Sequence, residues 1–183
     1  MSITIEPIAF VRGGRATPED DFWGGATSVI ELADGLDPES LLGLEDFSHA
    51  EVLFHFHQVD PAKVVLDARR PRNNPAWPRL GIFAQRGKNR PNRIGSTVVR
   101  ILGREGRQLR VAELDAIDGT PVLDIKPVMQ EFLPRGAVRQ PTWVAELMRE
   151  YWLPRSQATA PRPASRVSVR RPPAAARERR ARV

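Results

Sequence analysis

Leu80-Gly81-Ile82-Phe83-Ala84, then Gln85-Arg86-Gly87-Lys88-Asn89-Arg90-Pro91-Asn92-Arg93, then Ile94-Gly95-Ser96-Thr97-Val98-Val99-Arg100-Ile101-Leu102 is the stretch around which the chain is organised. The apolar run from Leu80 to Ala84 suits a buried strand. The nine residues after it include four cations and no apolar side chain except Pro91, so they form a loop punctuated by Gly87 and Pro91. Ile94 to Leu102 resumes a strand pattern, and Gly95 beside the loop permits close backbone approach. A cationic loop held between two strands is a scaffolded site for an anionic or carboxylated ligand.

Further along, Leu109 to Leu114 alternates like a half-buried strand. Asp115-Ala116-Ile117-Asp118-Gly119-Thr120-Pro121 turns the chain, and Val122 to Lys126 starts another strand. Asp-Gly is a turn signal because both residues tolerate positive φ. An amino-acid-like ligand matches this pair of segments, its carboxylate on arginine and its amine or ribose hydroxyls on aspartate. Toward the N-terminus, Ile3 to Val11, Ala26 to Leu32 and Phe47 to Phe56 read as strands. Asp37 caps a short turn over Pro38 to Leu42. Arg69 to Pro78 reads as an exposed loop, and Leu102 to Leu109 as a hairpin turn. Trp143, Leu147, Met148 and Tyr151 recur at helical spacing behind Pro141, which predicts one amphipathic helix over Pro141 to Trp152. The fold class is therefore mainly β with one C-terminal helix.

The 183 residues suit one domain, and 41% apolar content supports a sizeable core. Absence of cysteine excludes a disulfide framework and a thiolate metal site, and is compatible with the cytoplasm. No signal-peptide pattern opens the chain, and no apolar run reaches membrane-spanning length. The net charge of +6 divides unevenly. From Pro154 onward nine arginines face one glutamate (+8), while residues 1–153 hold 19 cations and 21 acids (−2). Within that body, Arg69 to Arg110 carries twelve cations and one acid, Glu105. The Pro-, Ala- and Arg-rich tail lacks apolar residues to offset its ordering entropy and is expected to be disordered. The organisation expected is a barrel domain over 1–135, a helix over 136–153 packed on it or on a partner, and a tail over 154–183.

Phe83-Ala84-x-Arg86, Arg90-Pro91-Asn92-x-Ile94-Gly95 and Leu114-Asp115-x-x-Asp118-Gly119-Thr120-Pro121-Val122-x-Asp124-Ile125-Lys126-Pro127 resemble the TrmO (TsaA-like) family. Gly43-Leu44-Glu45-x-Phe47-Ser48-His49 and Phe56-His57-Gln58 do so as well. The likeness covers about residues 5–132, with the motifs in family order. It implies a small single-domain β-barrel that binds S-adenosylmethionine, usually at a homodimer interface. It also implies methyl transfer, which the best-known members perform on the threonylcarbamoyl-modified adenosine beside the anticodon of a threonine tRNA. The chain departs from the family at Arg86-Gly87-Lys88-Asn89-Arg90-Pro91-Asn92-Arg93, where Arg-Ser-Pro-x-Arg-Pro-Asn-Pro is usual. It departs again at Pro18-Glu19-Asp20-Asp21-Phe22-Trp23-Gly24-Gly25, and it lacks the extra C-terminal domain of longer members.

The resemblance implies cofactor contacts for Arg86, His57, Gln58 and Ser96, and for Ala116, Ile117, Asp118 and Gly119 of the turn. Asp21, Phe22 and Trp23 are candidates on the N-terminal loop, the aromatics as a lid or adenine stack, or else as a plug in the barrel end. Arg90, Asn92 and Lys88 are candidate substrate contacts, although Arg90 and Asn92 also suit a loop-shaping role. Asp118 is the candidate base. Asp115, Asp118 and Thr120 equally suit plain turn construction. His49, Glu51, His55 and His57 share a strand face, which raises a zinc or iron site, but only three histidines exist and no metal is expected. Two other functions compete: methylation of a small metabolite, and a non-catalytic RNA-binding barrel. The arginine-rich tail suits an RNA arm or a solubilising extension.

Overall fold

The computed structural model describes residues 2–158. Eight strands form: β1 (Ala9–Arg12), β2 (Thr27–Leu32), β3 (His49–His55), β4 (Ala68–Arg69), β5 (Leu80–Gly81), β6 (Ile94–Glu105), β7 (Gln108–Ala112) and β8 (Pro121–Pro127). One helix, α1 (Thr142–Leu147), follows. Six strands close a barrel in the order β1-β2-β7-β6-β3-β8, every pair antiparallel, while β4 and β5 form a separate two-residue ladder. Closure leaves the barrel itself without an open edge.

The period-two pattern decides what faces inward. In β3, Ala50, Val52 and Phe54 are buried and alternate with half-exposed neighbours. Val11, Ile30, Val99, Leu109, Val111 and Val122 complete a barrel axis of fully buried side chains, each contributing roughly 1.5–3 kcal/mol by burial. About eight strands are needed before a barrel interior just fits side chains, so a six-stranded barrel is filled by its own core. A ligand must therefore be held outside the barrel, by loops.

Gly95 is required by packing. A β-carbon there would lie 2.5 Å from the Phe54 ring and 2.9 Å from that of Phe56, which meet edge-to-face at 5.3 Å. The Asp37 cap is present, its carboxylate accepting from the Glu39 N–H at the start of the turn Pro38–Leu41.

Three elements differ from the sequence expectation. Residues 3–8 do not extend β1, because its partners β2 and β8 pair with it only from Ala9 onward, and Ile3 and Ile5 remain exposed. β5 ends at Gly81: Ile82–Ala84 wind into a 3₁₀ turn with Ile82 buried and Phe83 77% exposed. The Gln85 amide donates to the carbonyls of Arg69 and Leu80, tying the loop back instead of extending the ladder. The C-terminal helix closes at Leu147, short of Trp152, and the chain beyond it runs against the N-terminal loop, where Phe22 and Trp23 donate their N–H groups to the carbonyls of Glu150 and Tyr151. Gly24 bridges Pro154, and Arg155 pairs with Glu19 at 2.9 Å, so residues 154–157 pack on the N-terminal loop. The remainder of the expected tail, 159–183, lies outside the described residues.

Candidate functional site

Loops at one end of the barrel enclose an open cleft of about 1660 Å³, larger than the roughly 300–1,000 Å³ that encloses one drug-sized ligand. Its walls come from six places: Pro18, Glu19, Asp20 and Trp23 of the N-terminal loop, the segment after β3, residues 69–73, the loop 82–92, the first half of β6, and Glu113, Asp115, Ile117 and Thr120 of the turn before β8. A seventh wall is the C-terminal segment, through Trp143, Met148, Tyr151 and Trp152.

Backbone conformation marks the same region. Among the described residues, the non-glycine positions with left-handed φ are Phe22, Arg72, Asn73, Asn92, Arg93 and Glu113. Four of them line the cleft, and Phe22 and Arg93 adjoin lining residues. Each such residue costs on the order of 1–3 kcal/mol and persists only where its surroundings enforce it, a pattern common at binding sites.

The polar side chains are organised in three groups. Arg86 donates to the Ser96 carbonyl at 2.5 Å, and the Ser96 hydroxyl donates to Glu51 at 2.6 Å, which places Arg86 over the start of β6. Arg86 is exposed and retains further donors for a carboxylate. Arg72 grips Asp21 through two 2.7 Å bonds and also reaches the Asp20 carbonyl, joining the N-terminal loop to residues 69–73. Asp115 accepts from the hydroxyls of Thr97 and Tyr151 at the foot of the cleft. Burial, and then the Asp115 carboxylate, push the Tyr151 phenol well above its ordinary value, so it remains a hydrogen-bond donor.

Of the residues expected from sequence, Arg86, His57, Gln58, Ser96, Ile117, Trp23, Lys88, Arg90 and Asn92 all line the cleft. Arg90 donates to the Gln85 carbonyl and so shapes its own loop. Trp23 is 3% exposed, with the Arg15 guanidinium 4.0 Å above its ring, which makes it a plug. Asp118 is not brought to the wall, because its carboxylate accepts from the Gly13 N–H and its own N–H donates to Arg15. Gly119 is bonded to the Val11 carbonyl, Ala116 is packed in the core, and Asp21 is engaged by Arg72; these three and Phe22 also lie off the wall. Sequence reasoning did not identify Arg72 or Tyr151 as site residues. Tyr151 carried only a helical-spacing signal, and Arg72 only its place in a cationic loop.

Burial, followed by the charges of Arg93 and His57, holds His55 below its ordinary imidazole value. Among the described residues no three histidine, aspartate or glutamate side chains converge to hold a metal. No described helix is long and apolar enough to cross a membrane.

Comparison with known proteins bears on this cleft. The family model described as the tRNA-methyltransferase O N-terminal domain matches residues 15–132. The RcsF protein of Pseudomonas aeruginosa is 41% identical over 135 residues, which is 69% of this chain and 57% of that relative. A probable S-adenosyl-L-methionine-binding protein of Pyrococcus abyssi is 35% identical, covering 76% of this chain and 75% of its own length. The crystal structure of TrmO from P. aeruginosa superposes with a TM-score of 0.62 at 32% identity, over 78% of this chain and 62% of that one. The chain thus spans less than two thirds of the RcsF protein and of that TrmO structure.

Proposed function

The chain belongs to the tRNA-methyltransferase O family, and from that premise we propose that it transfers a methyl group from S-adenosylmethionine to a nitrogen of a tRNA adenosine. The threonylcarbamoyl-modified adenosine is the acceptor in this reading. Human tRNA (adenine(37)-N6)-methyltransferase, 42% identical over 97 residues, supports the choice of tRNA, although those residues are 22% of that protein.

The observation that carries the proposal is the composition of the cleft. Within the matched region its lining holds a free-donor arginine, Arg86, a hydroxyl-held carboxylate, Asp115, and the aromatic rings of Trp23, Phe56 and Phe83. Arg86 suits the carboxylate of an amino acid joined to a nucleoside, and the Asp115 carboxylate is left to face the acceptor. When bound, S-adenosylmethionine supplies an electrophilic methyl group on a sulfonium. The chain's own contribution is alignment and exclusion of water, which provide most of the acceleration for an in-line displacement. Arg86 holds a carboxylate, with His57, Gln58 and Ser96 beside it. Lys88, Arg90 and Asn92, which also line the cleft, are assigned to the acceptor. The cationic run from Arg69 to Arg110 suits the tRNA backbone.

A homodimer, with the cleft near the shared surface, completes this reading. Phe83 and Val98 on the cleft and Met129, Phe132 and Leu133 after β8 are exposed apolar side chains that a second copy would cover. A tRNA substrate places the enzyme in the cytoplasm. The test is mass spectrometry of tRNA nucleosides from a strain deleted for the gene. Loss of an N6-methylated threonylcarbamoyl adenosine is expected, and an unchanged nucleoside profile would remove tRNA as the acceptor in favour of a small metabolite.

A further inference from the structure

We infer that Tyr151 and Thr97 position Asp115 as the proton acceptor for the nitrogen being methylated, so that part of the catalytic unit comes from outside the matched family domain. The inference rests on the methyl-transfer reading above. Thr97 donates its hydroxyl to one oxygen of Asp115 and Tyr151 donates to the other. Two donors on opposite oxygens fix the carboxylate plane and leave each oxygen one further lone-pair site. All three residues line the cleft.

Both supports are rigid. Thr97 is a barrel-wall residue, 4% exposed and paired across to Val52. The Tyr151 carbonyl accepts from the Trp23 N–H at 2.7 Å, and its ring packs edge-to-face on Trp152 at 4.9 Å. The family match ends at residue 132, so Tyr151 belongs to a segment the matched domain does not include.

The other acids near the cleft differ from Asp115. Asp20, Asp21 and Glu19 are paired with Arg72, Lys88, Arg15 and Arg155, Asp60 caps its own turn by accepting from the Ala62 N–H, and Glu51, which accepts from Ser96, does not line the cleft. Among the described residues Asp115 has neutral hydroxyl partners and no salt bridge, so its charge is not already spent on a cation. Arg86 and Arg72 line the same cleft. Glu113 also lines the cleft and is the rival acceptor.

The chemistry balances on these groups. The acceptor nitrogen forms its bond to the methyl carbon as the carbon–sulfur bond breaks and its electron pair stays on sulfur. The proton of that nitrogen passes to Asp115, which later gives it to water.

The experiment measures transfer of radiolabelled methyl from S-adenosylmethionine to total tRNA of a strain deleted for the gene, with cofactor affinity by calorimetry and thermal melts alongside. Asp115→Asn is expected to lower kcat by about 100-fold or more, the low end for general base catalysis. Tyr151→Phe and Thr97→Val are each expected to lower it about 3–10-fold, as loss of one hydrogen bond implies. Cofactor affinity should stay within about two-fold of wild type in all three. Thr97→Val carries the test from the barrel side if Tyr151→Phe does not fold. Folded variants with unchanged kcat, or a loss confined to cofactor affinity or KM, overturn the inference. So does a Glu113→Gln protein that loses turnover while Asp115→Asn keeps it. A wild-type protein that transfers no methyl to this tRNA overturns the proposed function itself, and this inference with it.

Discussion

Arg72 and Asp21 form a two-pronged ion pair, Nη1 to Oδ2 and Nη2 to Oδ1 at 2.7 Å each, that clasps the N-terminal loop to the segment between β4 and β5. Lysine has no planar fork with which to replace it. Arg72→Lys is therefore expected to destabilise by about 1 kcal/mol, a value reduced because the pair is partly solvated. That corresponds to a fall in Tm of about 2–4 °C for a chain of this size. The gap between variant and wild type should narrow as salt is raised. Identical melts at low salt would show that the clasp contributes nothing.

Arg86→Ala should weaken S-adenosylmethionine binding by about 1.5–3 kcal/mol, the range for hydrogen bonds to a charged group. Arg86 is exposed and is anchored on the Ser96 carbonyl at the surface of β6, so the barrel should melt as before. Calorimetry that finds wild-type affinity in the folded variant would take Arg86 out of the site.

Gly24→Ala places a β-carbon against the backbone carbonyl of Trp152, which has no side-chain freedom to give way. The expected result is release of residues 150–154 from the N-terminal loop, at a cost of about 1–3 kcal/mol. Limited proteolysis should cut the variant sooner between Trp143 and Gln157, and cofactor affinity should fall because Tyr151 and Trp152 leave the wall. Equal cleavage rates would mean that the bridge to Pro154 does not hold the segment.

His55 gives stability a pH dependence. The unfolded chain takes up its proton near pH 6.5, whereas the folded protein, with this imidazole held below its ordinary value, takes it up only at lower pH. Below about pH 6.5 the unfolded state binds more protons, so the His55 contribution is complete above that pH and is lost as pH falls. The urea midpoint should drop from pH 7.5 to 5.5, and less so in His55→Gln. An equal drop in both proteins would assign the effect to other groups.

Light scattering at micromolar concentration with cofactor present should return twice the chain mass if a second copy covers Phe83, Val98 and Phe132. Phe132→Glu, which places a charge on that face, should shift the population to monomer. A wild-type monomer would exclude the dimer.

The barrel strands were legible because their patterning is local. β7 lies in the alternating stretch Leu109 to Leu114, β2, β3 and β6 lie in apolar-rich runs between turn signals, and the Asp118-Gly119 turn and the Asp37 cap follow from side-chain chemistry alone. The cationic loop was legible from its composition, and the cleft residues Arg86, His57, Gln58 and Ser96 from the family resemblance. What was not legible depends on long-range partners. Asp118 and Asp115 sit three residues apart in one turn, yet Gly13 engages the first and Tyr151 the second. Neither partner is adjacent in sequence. For the same reason the helical pattern through Trp152 could not reveal that Phe22 and Trp23 take the backbone carbonyls of Glu150 and Tyr151.

The junction of Phe22–Gly24 with Glu150–Pro154 also sets a timetable during synthesis. Every barrel strand precedes residue 128, whereas Glu150–Pro154 come later in the chain. Synthesis therefore supplies all the strands of the barrel before the segment that holds Phe22 and Trp23 by their N–H groups and bonds Asp115 through Tyr151. The last wall of the cleft can only be added to a barrel whose strands are already made.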